Sequence, residues 1–200
     1  MKSQLKKSMK FSISIAVITF VLAAIFSIVS TYFLGGVSWA IGVVIVFIIV
    51  LIGVVFDMLG IAATAADETP FHAMAAEKVK GSKHAIRIVR NADKFASFCN
   101  DVIGDISGIV SGTASALVVL QLTLQIGERE ESFAHIVISV IFTSTVAAMT
   151  VGGKALGKYM AIHSSTPIIF FVGKVLDFIE NKFKINLLKD DRKKVNGKTR

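Results

Sequence analysis

The chain alternates long apolar runs with short basic stretches. Phe11 to Leu34 contains no charged residue, and it exceeds the roughly 20 residues a helix needs to cross a hydrocarbon core about 30 Å thick. The run is too long for a signal-peptide core, and Ser-Thr-Tyr-Phe is a poor cleavage site, so it is expected to be retained. Gly35-Gly36 then makes a tight turn. Val37 to Ala66 is long enough to span with a tilt and holds one charge, Asp57. Val102 to Ile126 is a third run. Phe133 to Val151 is a fourth, expected to continue as helix past Gly152-Gly153. The pattern predicts an all-α, polytopic membrane protein with four transmembrane helices.

Between the spans the periodicity changes. Thr69-Pro70 reads as an N-cap and first helical residue, opening a helix to Val79. Gly81-Ser82 breaks it before a second, basic helix from Lys83 to about Ala96. Ile86, Val89 and Phe95 alternate there with Arg87, Arg90 and Lys94, which predicts a helical hairpin on the inner leaflet. After a Thr166-Pro167 turn, Phe171, Val172, Val175, Leu176, Phe178, Ile179 and Phe183 recur at helical spacing. Lys174, Asp177, Glu180 and Lys182 lie opposite them, as in an interfacial amphipathic helix. The predicted organisation is a basic N-terminus over 1–10, two spans within 11–66 and a juxtamembrane hairpin over 67–101. Two further spans within 102–164, the amphipathic helix over 165–188 and a charged, flexible tail over 189–200 complete it.

Charge fixes the expected orientation. Of the 22 lysines and arginines, four lie in the first ten residues, six within 67–101 and eleven within 152–200; only Arg129 lies between the last two spans. The positive-inside rule therefore places both termini and the hairpin in the cytoplasm. Residues are 54% hydrophobic and 18% charged, against about 25% charged in an average soluble chain. The net charge of +8 does not bring a nucleic-acid motif with it: zinc-ligand spacing and aromatic RNA-binding motifs are missing, and basic residues flank apolar runs. Cys99 has no second cysteine to pair with. The motifs of hydrolases, nucleotide-binding loops and zinc proteases are also missing, so an enzyme is not expected. Membrane lipid is the expected surrounding, and small size with lysine-rich ends suits a bacterial inner membrane.

Charges inside spans are costly, about 2.5–3.5 kcal/mol each on insertion scales, and call for an account. In the second span Gly53, Asp57, Gly60, Thr64 and Asp67/Glu68 share a helix face. In the third, Asp101, Asp105, Gly108 and Gly112 do the same, with Asn100 and Gly104 at its edge and Ser107, Ser111 and Ser115 alongside. Gly104, Gly108, Gly112 and Ala116 form a small-residue ladder that suits close helix packing. The carboxylates are not needed for packing. Oxygen ligands without cysteine or spaced histidines point to Mg²⁺ or Na⁺. His72, His84, His135 and His163 are scattered and read as surface or interface residues.

Ala65-Ala66-Asp67-Glu68-Thr69-Pro70-Phe71, closing a span, resembles the S-G-S-E-T-A-L segment of the cyclin-M/CorC transmembrane domain family. Glu77-Lys78-Val79-Lys80-Gly81-Ser82-Lys83-His84-Ala85 resembles that family's glycine turn in a basic hairpin, and Asn91-Ala92-Asp93-Lys94-Phe95 its N-P-E-R-F stretch. Asn100-Asp101 or Gly104-Asp105 takes the place of a G-N-N motif. Gly153-Lys154-Ala155-Leu156-Gly157-Lys158 is similar to G-E-I-x-P-K. The resemblance covers about residues 45–180. It implies a homodimeric membrane domain linked to Mg²⁺ transport, with a cation site between helices. The implied ligands are Asp67, Asn100, Asp101 and Asp105, with Asp57, Glu68, Thr69, Gly153, Lys154 and Lys158 around them.

Departures from the family pattern open an alternative. Lys154 replaces a glutamate, and its ammonium can pair with Asp67, Asp101 or Asp105 in place of the ion. The expected function is thus transport of Mg²⁺ or another hard cation. The alternative is a non-transporting regulatory or interaction protein closed by a Lys154–carboxylate pair. The family's cytoplasmic CBS-pair module does not follow in this sequence, so nucleotide-linked regulation within this chain is not expected, and a regulatory partner, if there is one, is expected to be a separate cytoplasmic protein.

Overall fold

Once a long apolar run is helical, its backbone polar groups satisfy one another, and that is the arrangement hydrocarbon demands. The computed structural model describes residues 2–127, 129 and 132–183, and every regular element among them is a helix. These are α1 (Lys2–Gly35), α2 (Trp39–Ala65), α3 (Thr69–Ala76), α4 (Ser82–Arg90) and α5 (Ala92–Ser97). A π-helical segment (Phe98–Gly104) leads into α6 (Asp105–Gln125), followed by α7 (Phe133–His163) and α8 (Ser165–Phe183). Four helical stretches are long and apolar enough to cross a membrane: Ser12–Gly35, Trp39–Ala65, Ala92–Gln125 and Phe133–His163. The 27 residues of α2 extend about 40 Å, enough for the hydrocarbon core with a tilt.

Several boundaries differ from expectation. The third long helix begins at Ala92, not Val102, because α5, the π-helical segment and α6 run on without a break. Polar residues such as Asn100 and Asp101 do not interrupt a backbone already hydrogen-bonded along its own length. The basic N-terminal residues are helical too, as part of α1, since lysine, leucine and glutamine are good helix formers. The expected single helix from Lys83 to Ala96 is two helices parted at Asn91. There the Asn91 N–H reaches the carbonyls of Arg87 and Ile88, and Nδ2 donates to Arg87 O at 3.0 Å, closing α4. Thr166-Pro167 lies in the first turn of α8, where proline needs no donor; Ser164 alone separates α7 from α8. Residues 184–188 of the expected amphipathic helix, the tail over 189–200, and Glu128, Glu130 and Glu131 lie outside the described residues.

Contacts divide the chain into two units. The first contains α1, α2 as far as Asp57, the π-helical segment, α6, and α7 as far as Gly157. Here α1 packs along α6. Leu34, Val46, Val50, Ala114, Val118 and Val146 form one buried cluster; Val102, Ile106 and Val110 form another, flanked by Ile15, Leu22 and Ile49. Helix α2 approaches α6 closely where it lacks a side chain: a Cβ on Gly42 would stand 2.6 Å from Val118 Cγ2, and one on Gly53 2.9 Å from Ser107 Cβ. Gln121 Nε2 donates to Leu34 O at 2.8 Å, satisfying a carbonyl in the last turn of α1. Phe20, Ile28, Tyr32 and Phe33 of α1 and Phe133, Ile141 and Val151 of α7 are exposed. Apolar surface on this scale suits lipid rather than water.

The second unit holds Met58–Ala96 and the chain from Lys158 onward. Here α4 packs on α3 and on α8, around buried Phe71, Ala85, Ile88 and Ile169, with Ala62, Ala63 and Ala161. Gly81 lets the turn before α4 approach the backbone of α8 closely. Its φ of +87° is open to glycine, and a Cβ there would stand 2.7 Å from the backbone nitrogen of Lys174.

Candidate functional site

Asp57 is the charged residue in the apolar length of α2, and Lys154 stands on α7. Lys154 Nζ lies 3.7 Å from Asp57 Oδ1, with the side chains 31% and 16% exposed. This is an ion pair at a separation too long for a direct hydrogen bond. Both groups border Gly104, whose Cβ would stand 3.7 Å from Asp57 Oδ1 and 3.8 Å from Lys154 Nζ. The partners expected for Lys154 were Asp67, Asp101 or Asp105; the carboxylate it meets is Asp57. A lysine at one end of an apolar helix takes whichever acid the packing of α2 and α7 brings to it. Gly153 makes that packing close, since a Cβ on it would be 2.9 Å from Val54 Cγ2.

The π-helical segment carries the next candidate residues. The N–H of Asp105 donates to Asn100 O, five residues back, which widens the turn. Such segments are rare, and they are frequent at functional sites. Asn100 Oδ1 is buried and has no hydrogen-bond partner among the described residues. Asp101 and Asp105 are exposed, as are Gly108 and Gly112, so this stripe faces away from the core of the first unit. The serines alongside turn inward and are satisfied by their own helix. Ser107 Oγ donates to Ile103 O at 2.7 Å, Ser111 Oγ to Gly108 O at 3.0 Å and Ser115 Oγ to Ser111 O at 2.6 Å.

The remaining candidates belong to the second unit. Thr69 is the first residue of α3 and does not cap it; Glu68 holds the N-cap position, and its side chain makes no capping bond to the helix backbone. Instead the Thr69 N–H and hydroxyl both donate to Asp67 Oδ1 at 3.0 Å. Those two bonds, the backbone one first, hold the Asp67 carboxyl below the ordinary aspartate range. Partial burial pushes Glu68 upward, but hydrogen bonds and positive charge from His72 and Arg90 outweigh it and leave the carboxyl lowered. His72 Nε2 lies 2.8 Å from Glu68 Oε1, and Arg90 Nε donates to the same oxygen. Both acids of this segment thus have partners within the unit. Lys158 is exposed.

One grouping escaped the sequence reading. His84 of α4 is only 8% exposed and sits between two carboxylates of α8. Its Nε2 lies 2.8 Å from Glu180 Oε2, and its Nδ1 lies 3.5 Å from Asp177 Oδ1 without a hydrogen bond. The signal was a histidine on an otherwise apolar helix face, but the acids lie far along the chain and spacing alone does not find them.

The first unit therefore presents an ammonium and a carboxylate in contact, over a π-helical turn whose Asn100 oxygen has no hydrogen-bond partner among the described residues. Among those residues no three histidine, cysteine, aspartate or glutamate side chains are grouped to hold a metal ion. Comparison with protein-family models, curated proteins and solved structures finds no match for the chain.

Proposed function

We propose that the chain is a cyclin-M/CorC-like membrane domain in which Lys154 takes the place of a hard cation, giving a regulatory or interaction subunit rather than a transporter. The supporting observation is the Lys154–Asp57 pair over Gly104. An ammonium and a hydrated divalent ion compete for the same carboxylate, and the ammonium is covalently held. In this reading the basic segments place both termini and α3–α5 in the cytoplasm of a bacterial cell, with α8 along the inner leaflet. A second copy of the chain covers the exposed stripe of Asp101, Asp105, Gly108 and Gly112.

Mg²⁺ flux into proteoliposomes of the purified chain, read with a trapped indicator under an inward-negative potential, tests this. The expected result is no saturable signal above protein-free vesicles from the unaltered chain. Lys154→Glu, which replaces the ammonium by a second carboxylate, is expected to create or strengthen Mg²⁺ binding. Unchanged affinity in that variant sinks the closed-site reading.

A second reading is favoured by a separate observation, the buried Asn100 Oδ1 on the π-helical turn. An amide oxygen is a hard ligand suited to Mg²⁺. In this reading the chain transports the ion and Lys154 modulates it. Saturable flux from the unaltered protein selects it.

A further inference from the structure

Helix α8 is apolar on two sides. Ile169, Phe170, Val172 and Leu176 pack on the core of the second unit. Phe171, Val175 and Phe178 are 66%, 40% and 64% exposed and form a second stripe at helical spacing. Lysines edge this stripe. Lys174 Nζ lies 4.4 Å from the centre of the Phe170 ring and Lys182 Nζ 5.7 Å from that of Phe178. Their stems follow apolar surface, and their charges stay at its margin.

Phe178 also lines a cleft of about 640 Å³ between α8 and the turn before α4, together with Val79, Lys80, Lys174, Asp177 and Asn181. The charges in this cleft are not balanced. Two lysines, Lys80 and Lys174, line it against one carboxylate, Asp177, whose Oδ2 accepts from Asn181 Nδ2 at 3.2 Å and whose Oδ1 lies 3.5 Å from His84 Nδ1 without a hydrogen bond. Among the described residues no carboxylate lies within ion-pairing distance of Lys80 or Lys174. Lys80 also immediately precedes the amino end of α4, where partial positive charge collects.

We infer that this cleft binds the phosphate of an anionic phospholipid, with Lys80 and Lys174 as its cations and the Phe171–Val175–Phe178 stripe receiving the acyl chain. A free phosphate would use the lysines alone and leave the stripe uncovered. A lipid uses both, and the same chain carries four helices long and apolar enough to cross a bilayer. The inference is independent of the cation reading.

The test is lipid binding to the purified full chain in detergent, followed by native mass spectrometry with added phosphatidylglycerol or phosphatidylcholine. Each basic side chain near an anionic lipid surface is worth about a fivefold factor, so losing both lysines costs about 25-fold. Lys80→Gln/Lys174→Gln is expected to weaken phosphatidylglycerol binding by that factor and leave phosphatidylcholine unchanged. Both lysines are exposed, and an unchanged thermal midpoint checks the fold. As a second variant, Phe171→Ser/Phe178→Ser is expected to weaken both lipids. Undiminished phosphatidylglycerol binding in the lysine variant overturns the inference. So does displacement of the lipid by millimolar inorganic phosphate, which would mark the cleft as a free-anion site.

Discussion

Lys154 Nζ stands 3.7 Å from Asp57 Oδ1, each on a different helix long and apolar enough to cross a membrane. Removing one partner strands the other charge in a poorly solvated place. Full burial would make this a loss of about 3–5 kcal/mol, and the partial exposure of both groups reduces it to about 1–3 kcal/mol. Asp57→Leu and Lys154→Met are each expected to lower the thermal midpoint in detergent. The double variant Asp57→Leu/Lys154→Met is expected to recover most of the loss, because it strands no charge. Additive losses would show that the two groups do not act as a pair.

Glycines in this chain divide into those that touch and those that do not. A Cβ on Gly173 would stand 2.5 Å from Gly81 O, and one on Gly81 2.7 Å from Lys174 N, backbone atoms in both cases. Gly81→Ala and Gly173→Ala are expected to cost about 1–3 kcal/mol each, since α4 and α8 must part. Nothing lies within 4 Å of a Cβ on Gly108 or Gly112. Alanine there is expected to be neutral, or to add up to about 1 kcal/mol of helix propensity. Thermal unfolding of the four variants checks the ordering. A weakened dimer in Gly108→Ala or Gly112→Ala, with the monomer fold intact, would place a second copy on that stripe.

The acids at the start of α3 give an acid-side signature. Asp67 and Glu68 are both held below their ordinary values, Asp67 by Thr69 and Glu68 by His72 and Arg90 against the opposing effect of burial. A carboxyl lowered in the folded state stabilises fully above its unfolded value, about 3.9 for Asp and 4.3 for Glu. That contribution is lost as pH falls through the folded value. The thermal midpoint is therefore expected to fall between about pH 5 and pH 3, and Glu68→Gln to make the fall shallower. The Glu68 contribution is that of a partly exposed ion pair, below about 1 kcal/mol. An unaltered slope in Glu68→Gln would remove this pair as a cause.

Much of the fold was legible because hydrocarbon length is a criterion that composition alone can meet. Phe11–Leu34 and Val37–Ala66 foreshadow α1 and α2, and the run from Phe133 foreshadows α7. The start of the third long helix was not legible. Asn100 and Asp101 look like the polar border before the apolar run from Val102, whereas the π-helical turn carries them inside a continuous helix. Asp57 and Lys154 were both visible as charges within or beside spans, but their pairing depends on how α2 meets α7. The His84 grouping with Asp177 and Glu180 was hidden for the same reason: periodicity reports the face of one helix and not which helix it faces.

Asn100 separates the two functional readings without a flux assay. A buried amide oxygen without a hydrogen bond carries a desolvation cost of about 1–3 kcal/mol. Under the closed-site reading the oxygen has no ligand to hold, so Asn100→Leu relieves that cost. The variant is then expected to match or exceed the unaltered protein in thermal midpoint, and millimolar Mg²⁺ to shift neither. Under the transport reading the oxygen is a ligand. Mg²⁺ binding to the folded state alone would raise the midpoint of the unaltered protein, and Asn100→Leu would abolish that rise. Pairing the measurement with Lys154→Glu adds a sign. Competition between ammonium and ion predicts that Mg²⁺ stabilises Lys154→Glu more than the unaltered chain, and equal shifts in the two would mean that Lys154 and the ion do not share a place.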